Sequence, residues 1–458
     1  RPFWGLLALM WGVPLHSLML AGLVSIGSIP GVALTAFKLW KARLLFLLLL
    51  RLWLPARRPF RMTQLDVAIG LFFFIEAVYL LLTSGSLGWD VKLFALQSDS
   101  IFLLFYVLGR LFPYSYRQFR LIVISVLLVG WIAAVFAILE VVVFPGWLFK
   151  LDAYFSYLGK NVSRQLPGQF YAFIGGIKVQ RAGSIYLNPV EFSFATLIPL
   201  AFTWGLAVHN AYRPAHRLWL GLPILLGALL LALTRSTMLG LAISLGFVLI
   251  LRPRMPRWLL IVACLLLVVA MFLGIVLRLD QYIIDTISIA EPSAIGRLAR
   301  WKLSLETMKR APFGLGLGST GPVARRFIGQ KALVNENWYF QIATEMGVPT
   351  GFLFLLIIVL LTLQSIWIWR TVPDRFLQGT VLGFVAVTVA LATASLFLHT
   401  WAYDAVAFPF WLLGGLVIQL PERMRLRGWL PEDSDSHQPA HNRSEIIRYA
   451  GDTQCASR

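Results

Sequence analysis

Long apolar runs separated by short basic turns fill most of this chain, and the runs show no alternation of period two. That pattern predicts membrane-spanning helices rather than a barrel. Runs at Leu65–Leu82, Leu93–Phe112, Leu121–Phe144, Ile185–Val208, Leu218–Leu233, Trp258–Leu277, Ile342–Trp369, Phe376–Phe397 and Ala402–Leu420 are each near the length that crosses about 30 Å of hydrocarbon. Leu239–Leu251 is short and must borrow flanking residues. Phe3–Leu54 has room for two crossings, but Lys38, Lys41 and Arg43 interrupt it. Either the second helix carries those cations, or both crossings end by Phe37 and Leu44–Leu54 lies at the interface. The total is about twelve crossings.

The fold class expected is therefore all-α, a polytopic membrane protein. Helices one to nine fall in 1–277, with an extracytoplasmic polar segment at 145–183. A large loop occupies 278–341, helices ten to twelve occupy 342–420, and 421–458 is a polar tail without apolar periodicity that reads as disordered. Composition agrees: 59% of the 458 residues are hydrophobic, only 13% are charged, and mean hydropathy is +0.76.

The net charge of +19 would suggest nucleic acid in a soluble protein. Here the cations fall in every second turn: Arg57, Arg58 and Arg61; Arg110, Arg117 and Arg120; Arg213 and Arg217; Arg252, Arg254 and Arg257; Arg370 and Arg375; Arg423, Arg425 and Arg427. These turns are assigned to the cytoplasm, with both termini, and no nucleic-acid partner is expected. The two cysteines, Cys264 and Cys455, make no disulfide or metal framework. No cleavable signal pattern is present, and a start at Arg1 rather than Met points to a short missing N-terminal piece.

The opposite face is charge-poor except at a few places. Arg181 precedes the sixth crossing, Arg235 sits in the tight Thr234-Arg235-Ser236 turn, and Arg297, Arg300, Lys302, Lys309, Arg310, Arg325 and Arg326 lie in the long loop. Long loops escape the charge rule; the short turn at Arg235 does not. Several guanidinium groups on one face suit a polyanion, because arginine offers paired, charge-assisted hydrogen bonds to phosphate. On the outer face of a bacterial-type membrane the natural polyanion is a diphosphate-linked lipid, whose leaving charge such a cluster would stabilise without metal. No His, Asp and Glu grouping has metal-ligand spacing.

Within the loop, Ser293–Arg310 reads as an amphipathic interfacial helix with Ser293 as its N-cap, from which Arg297 and Arg300 reach headgroups. The glycines at 314, 316 and 318 lack the Lys-Ser/Thr of a nucleotide loop and read as a lid hinge. Glu191, just inside the sixth helix, is expensive in lipid and is expected to face a cavity or pair with Arg181. Trp301, Trp338, Tyr339, Trp401 and Tyr403 have the chemistry to stack on sugars, although membrane-interface belts use the same residues and are the favoured reading.

At these residues the chain resembles the O-antigen ligase and O-antigen polymerase superfamily. The patterns are Arg181-x-Gly183 with Asn188-Pro189; Thr234-Arg235-Ser236; Gly296-Arg297 with Trp301; Pro312-x-Gly314-x-Gly316; and Asn337-x-Tyr339 with Glu345-x-Gly347. The resemblance implies an inner-membrane glycosyltransferase that needs no cofactor or metal and moves a glycan from an undecaprenyl-diphosphate carrier to a glycan or lipid acceptor. Membrane lipids and other polysaccharide-assembly proteins are its expected partners. Arg181 and Arg235 would hold the diphosphate, with Arg297 assisting. Arg300, Asn337, Tyr339 and His399 are further substrate-binding candidates. Ligases of this kind carry a histidine where this chain has Glu336, which leans the reading toward a polymerase or exopolysaccharide-type enzyme. Glu336 is then the first candidate for the base that takes the acceptor proton, and His399 the second. The rival of a different class is a transporter or flippase of lipid-linked saccharide, which would show related halves. A structural partner in polysaccharide export is a third reading.

Overall fold

The computed structural model describes residues 2–25, 31–53, 61–82, 87–145, 147–157, 168–174, 177–209, 216–251, 292–329, 332–426 and 429. In chain order these form α1 (Pro2–Ser25), α2 (Gly31–Lys38), α3 (Trp40–Trp53), α4 (Gln64–Leu82), α5 (Trp89–Asp99), α6 (Ile101–Leu111), α7 (Tyr116–Val142) and α8 (Asp152–Tyr157). After a short hairpin come α9 (Pro189–Val208), α10 (His216–Leu231), α11 (Arg235–Leu251), α12 (Pro292–Arg310), α13 (Gly321–Ile328), α14 (Trp338–Met346), α15 (Val348–Thr371), α16 (Arg375–Ala394) and α17 (Asp404–Met424). Seven of these, α1, α4, α7, α9, α15, α16 and α17, are long and apolar enough to cross a membrane. The expected ninth crossing, Trp258–Leu277, lies outside the described residues.

Several expected boundaries are corrected. Leu93–Phe112 is not one straight helix: α5 and α6 meet at Ser100 and are bent by 45°, an eighth span only if the two are one. Ile342–Trp369 is also two helices, because Gly347 takes φ 88° and a proline occupies the first turn of α15. The polar segment before α9 is not purely helical. It contains an antiparallel hairpin, β1 (Tyr171–Ile174) with β2 (Ile177–Gln180), in which Tyr171 faces Gln180. Helix α12 starts at Pro292, so Ser293 lies inside the helix rather than capping it, and proline's fixed φ opens the first turn. Lys41 lies within α3, buried and ion-paired to Asp404, so the early cations are carried in a helix.

Small residues set the closest helix crossings. A Cβ on Gly415 of α17 would stand 2.2 Å from the Tyr106 carbonyl of α6, and one on Gly205 of α9 would stand 2.2 Å from the Gly379 carbonyl of α16. Without a hydrophobic drive between helices in lipid, such close backbone approach is a principal source of packing energy. Helix ends are fixed locally: Ser115 and Gln118 form a reciprocal cap on α7, and Asp374 caps α16.

At one end of the bundle a buried ionic knot joins three helices. Arg110 of α6 donates from Nε to Asp66 Oδ1 (3.2 Å) and from Nη2 to Asp66 Oδ2 (3.1 Å), Glu422 Oε1 (3.2 Å) and the Arg61 carbonyl (2.9 Å). Its side chain is 1% exposed. The start of the tail is ordered onto this end: α17 runs on to Met424, and Trp429 Nε1 donates to the Tyr114 carbonyl at 3.0 Å.

Candidate active site

Two turns and one loop make the site. The first turn follows the hairpin. Gly183 and Ser184 direct their amides onto Glu140 of α7, at 3.1 Å and 2.6 Å to Oε2, and the Ser184 hydroxyl donates to the Ala133 carbonyl at 2.6 Å. Two residues before Gly183 stands Arg181. Its guanidinium donates to the carbonyls of Ala232 (2.8 Å) and Gln169 (2.9 Å) and to Thr234 Oγ1 (2.8 Å). Arg181 thus grips the second turn, residues 232–234, and brings its own charge beside Arg235, which opens α11. A cation at a helix N-terminus opposes the helix dipole, so the fold does not favour arginine there.

The third piece is Glu336, between α13 and α14. Its carboxylate accepts Arg297 Nε at 3.3 Å and also binds Arg300 Nη1, both from α12. This pairing is partly open: the side chains of Arg297, Arg300 and Glu336 are 28%, 44% and 26% exposed. Both arginines of the amphipathic helix thus meet one carboxylate, Glu336.

Tyr403 lies in the turn before α17. Burial pushes its hydroxyl above the ordinary tyrosine range; the charges of Glu191 and Glu336 act in the same direction, and Arg181 acts against them. These three charges come from residues distant in sequence. Glu191 sits in the first turn of α9, near enough to Asp404 and Lys41 for their charges to act on it. Among the described residues, the non-glycine positions with positive φ are Ser184, Leu187, Leu233 and Glu336, at φ 51°, 51°, 48° and 49°. All four fall in the segments that present Arg181, Glu191, Arg235 and Glu336. Each such conformation costs on the order of 1 kcal/mol or more and tends to gather at functional sites.

Other predicted residues are placed differently. Asn337 caps α14, its side-chain oxygen accepting the Phe340 amide at 3.1 Å, and is buried. The Tyr339 hydroxyl donates to the Ala392 carbonyl of α16 at 2.9 Å. Both are turned inward to hold α14. His399 is buried in the turn between α16 and α17, with Nε2 unpartnered. Burial lowers the imidazole from 6.5 to about 4, so it is neutral at pH 7. Trp338 and Trp401, considered for an interface belt or sugar stacking, are core residues 0% and 1% exposed, and Trp401 stacks on Phe102.

The glycine loop is not a lid hinge. Leu315 and Gly316 donate their amides to the Thr344 and Glu345 carbonyls, each at 2.9 Å. The Glu345 side chain accepts from the amides of Gly318 (3.0 Å) and Thr320 (3.2 Å) and from Thr320 Oγ1 (3.1 Å). At Gly314, φ is 83° and a Cβ would stand 2.4 Å from the Glu345 carbonyl, so glycine is required for the loop to lie on the end of α14. Glu345 was named only as part of a family pattern, without a role, and Glu140 was missed; the signal for Glu140 is a carboxylate inside an apolar run, which must find donors.

No curated protein matches the chain. A family match is found over residues 220–355, the stretch that carries Arg235, Arg297, Arg300, Glu336 and the glycine loop. The family's description implies enzymatic transfer of glycan, with a lipid-linked glycan and an acceptor as substrates. That match is to the family model described as O-antigen ligase, and with the apolar helices it supports this chain as a polytopic membrane protein of the O-antigen ligase and polymerase superfamily.

Proposed function

We propose that the protein transfers or polymerises a glycan from an undecaprenyl-diphosphate carrier onto an acceptor hydroxyl, on the extracytoplasmic side of a bacterial inner membrane, in O-antigen or exopolysaccharide synthesis. The observation that supports this reading is the partly open pairing of Arg297 and Arg300 of α12 with Glu336, together with the bonds by which Arg181 holds the turn that leads into Arg235. Arg235, Arg297 and Arg300 meet the diphosphate, and Arg181 fixes the turn that presents Arg235. The acceptor oxygen attacks the anomeric carbon as Glu336 takes its proton. The bond from that carbon to the diphosphate breaks with its electron pair on the phosphate oxygen, where the guanidiniums stabilise the growing charge.

Glu336 and the diphosphate compete for the same two arginines. Before the donor binds, the carboxylate is engaged by both. The diphosphate, with more charge and more acceptor oxygens, draws them away and leaves Glu336 free to act as base. Donor binding would thereby arm the base. The Glu336 substitution favours a polymerase or exopolysaccharide-type enzyme over a lipid A-core ligase.

The test is glycan transfer by purified protein in lipid, supplied with undecaprenyl-diphosphate oligosaccharide. Transfer that falls about 10²-fold or more in both Arg235→Ala and Arg235→Lys, with thermal stability kept, is the expected result. Movement of the donor across the bilayer with no new glycosidic bond, unaffected by either substitution, would replace this reading with transport.

A further inference from the structure

We infer that the basic end of the bundle holds a second site, which takes the phosphate of an anionic phospholipid. A cavity of about 180 Å³ opens there between the start of α4 and the ends of α15 and α17. Its wall includes Arg61, Arg425, Gln364, Trp367 and Glu422. Arg61 and Arg425 are exposed, and among the described residues neither side chain has a hydrogen-bond or ion-pair partner. The one carboxylate in the wall, Glu422, is already engaged by Arg110 at 3.2 Å. Two arginines with no ion-pair partner among the described residues therefore line one cavity, an arrangement suited to a phosphodiester.

The surroundings point to lipid rather than a soluble anion. Trp367 is 56% exposed at the rim. From it an exposed stripe runs along α15 at helical spacing through Leu363, Val359, Leu356 and Phe352. Helix α4 packs beside α15 and adds exposed Leu71 and Phe74. A headgroup in the cavity would lay its acyl chains along this seam, with the indole at the level of the headgroups. Basic pockets between membrane helices at the positively charged end are a recurrent setting for anionic headgroups. The cavity is remote from the proposed active site: Gly347 and Trp367 are separated by the length of α15, roughly 30 Å. A lipid held here is a different molecule from the glycan donor.

The experiment measures lipid retained by the purified full-length protein, using native mass spectrometry after exchange into detergent with phosphatidylglycerol, cardiolipin or phosphatidylcholine. The expected result is retention of the two anionic lipids over phosphatidylcholine, about tenfold weaker in Arg61→Ala/Arg425→Ala and unchanged in Lys302→Ala. Equal retention of phosphatidylcholine by the wild-type protein would overturn the proposal, a comparison that needs no variant to fold. So would full retention by the double variant, or complete displacement of the lipid by inorganic phosphate, which would make this a soluble-anion site.

Discussion

Two ionic clusters at opposite ends of this bundle use the same residue types and do different things. Arg110 is 1% exposed and is bonded to Asp66, Glu422 and a backbone carbonyl across α4, α6 and α17. Arg300 is 44% exposed and shares a single carboxylate, Glu336, with Arg297. In the first cluster Arg110 and Asp66 are 1% and 7% exposed, so Asp66 would lose its cation in a dry interior if the pair opened. The second is wet, with more positive charge than negative, so a richer anion can take its arginines at little cost. Burial and stoichiometry, rather than the presence of arginine, separate a structural knot from a binding site.

That contrast is broken most severely at Arg110. Arg110→Ala leaves Asp66 buried without its cation and is expected to cost about 3–5 kcal/mol, seen as a large fall in unfolding temperature in detergent. Arg300→Ala lies at the other extreme and is expected to change stability by less than about 1 kcal/mol while impairing transfer. If the two variants lose equal stability, the distinction between the ends is wrong.

Between these lies an effect of pH. His399 is buried with its pKa lowered from 6.5 to about 4, so the folded state favours the neutral ring. Its contribution is complete above pH 6.5 and is lost as pH falls from there toward 4. At pH 5 the loss is about 2 kcal/mol. Unfolding temperature measured at pH 7 and pH 5 should reveal it, and His399→Leu should remove most of the difference. An acid sensitivity unchanged in that variant would place its origin in other groups.

Much of the site was legible in the sequence because charge in an apolar chain is costly enough to stand out. Arg181, Arg235, Arg297, Arg300 and Glu336 were all named by that rule or by the family patterns, and the structure pairs Glu336 with Arg297 and Arg300. What the residues did with their hydrogen bonds was not legible. Asn337 and Tyr339 match the family pattern, yet one caps a helix and the other bonds a backbone carbonyl. A motif gives residue type and order but not the direction of a side chain. The glycine spacing suggested a hinge, and only the position of Glu345 across the loop turns it into a docked one. Helix breaks at Ser100 and Gly347 were hidden because apolar content stays high on both sides of each. The hairpin at 171–180 lies in a segment whose polarity predicted a loop and whose strands are only four residues each.

In the proposed mechanism Glu336 holds two arginines until the diphosphate takes them. The most direct measurement is the binding of undecaprenyl-diphosphate oligosaccharide to Glu336→Gln, set beside its rate of glycan transfer. Loss of the carboxylate should leave donor affinity equal to or tighter than wild type, while transfer falls by about 10²-fold or more for want of a base. Weaker donor binding with transfer reduced only in proportion would contradict it and make Glu336 a support for the arginines rather than their competitor.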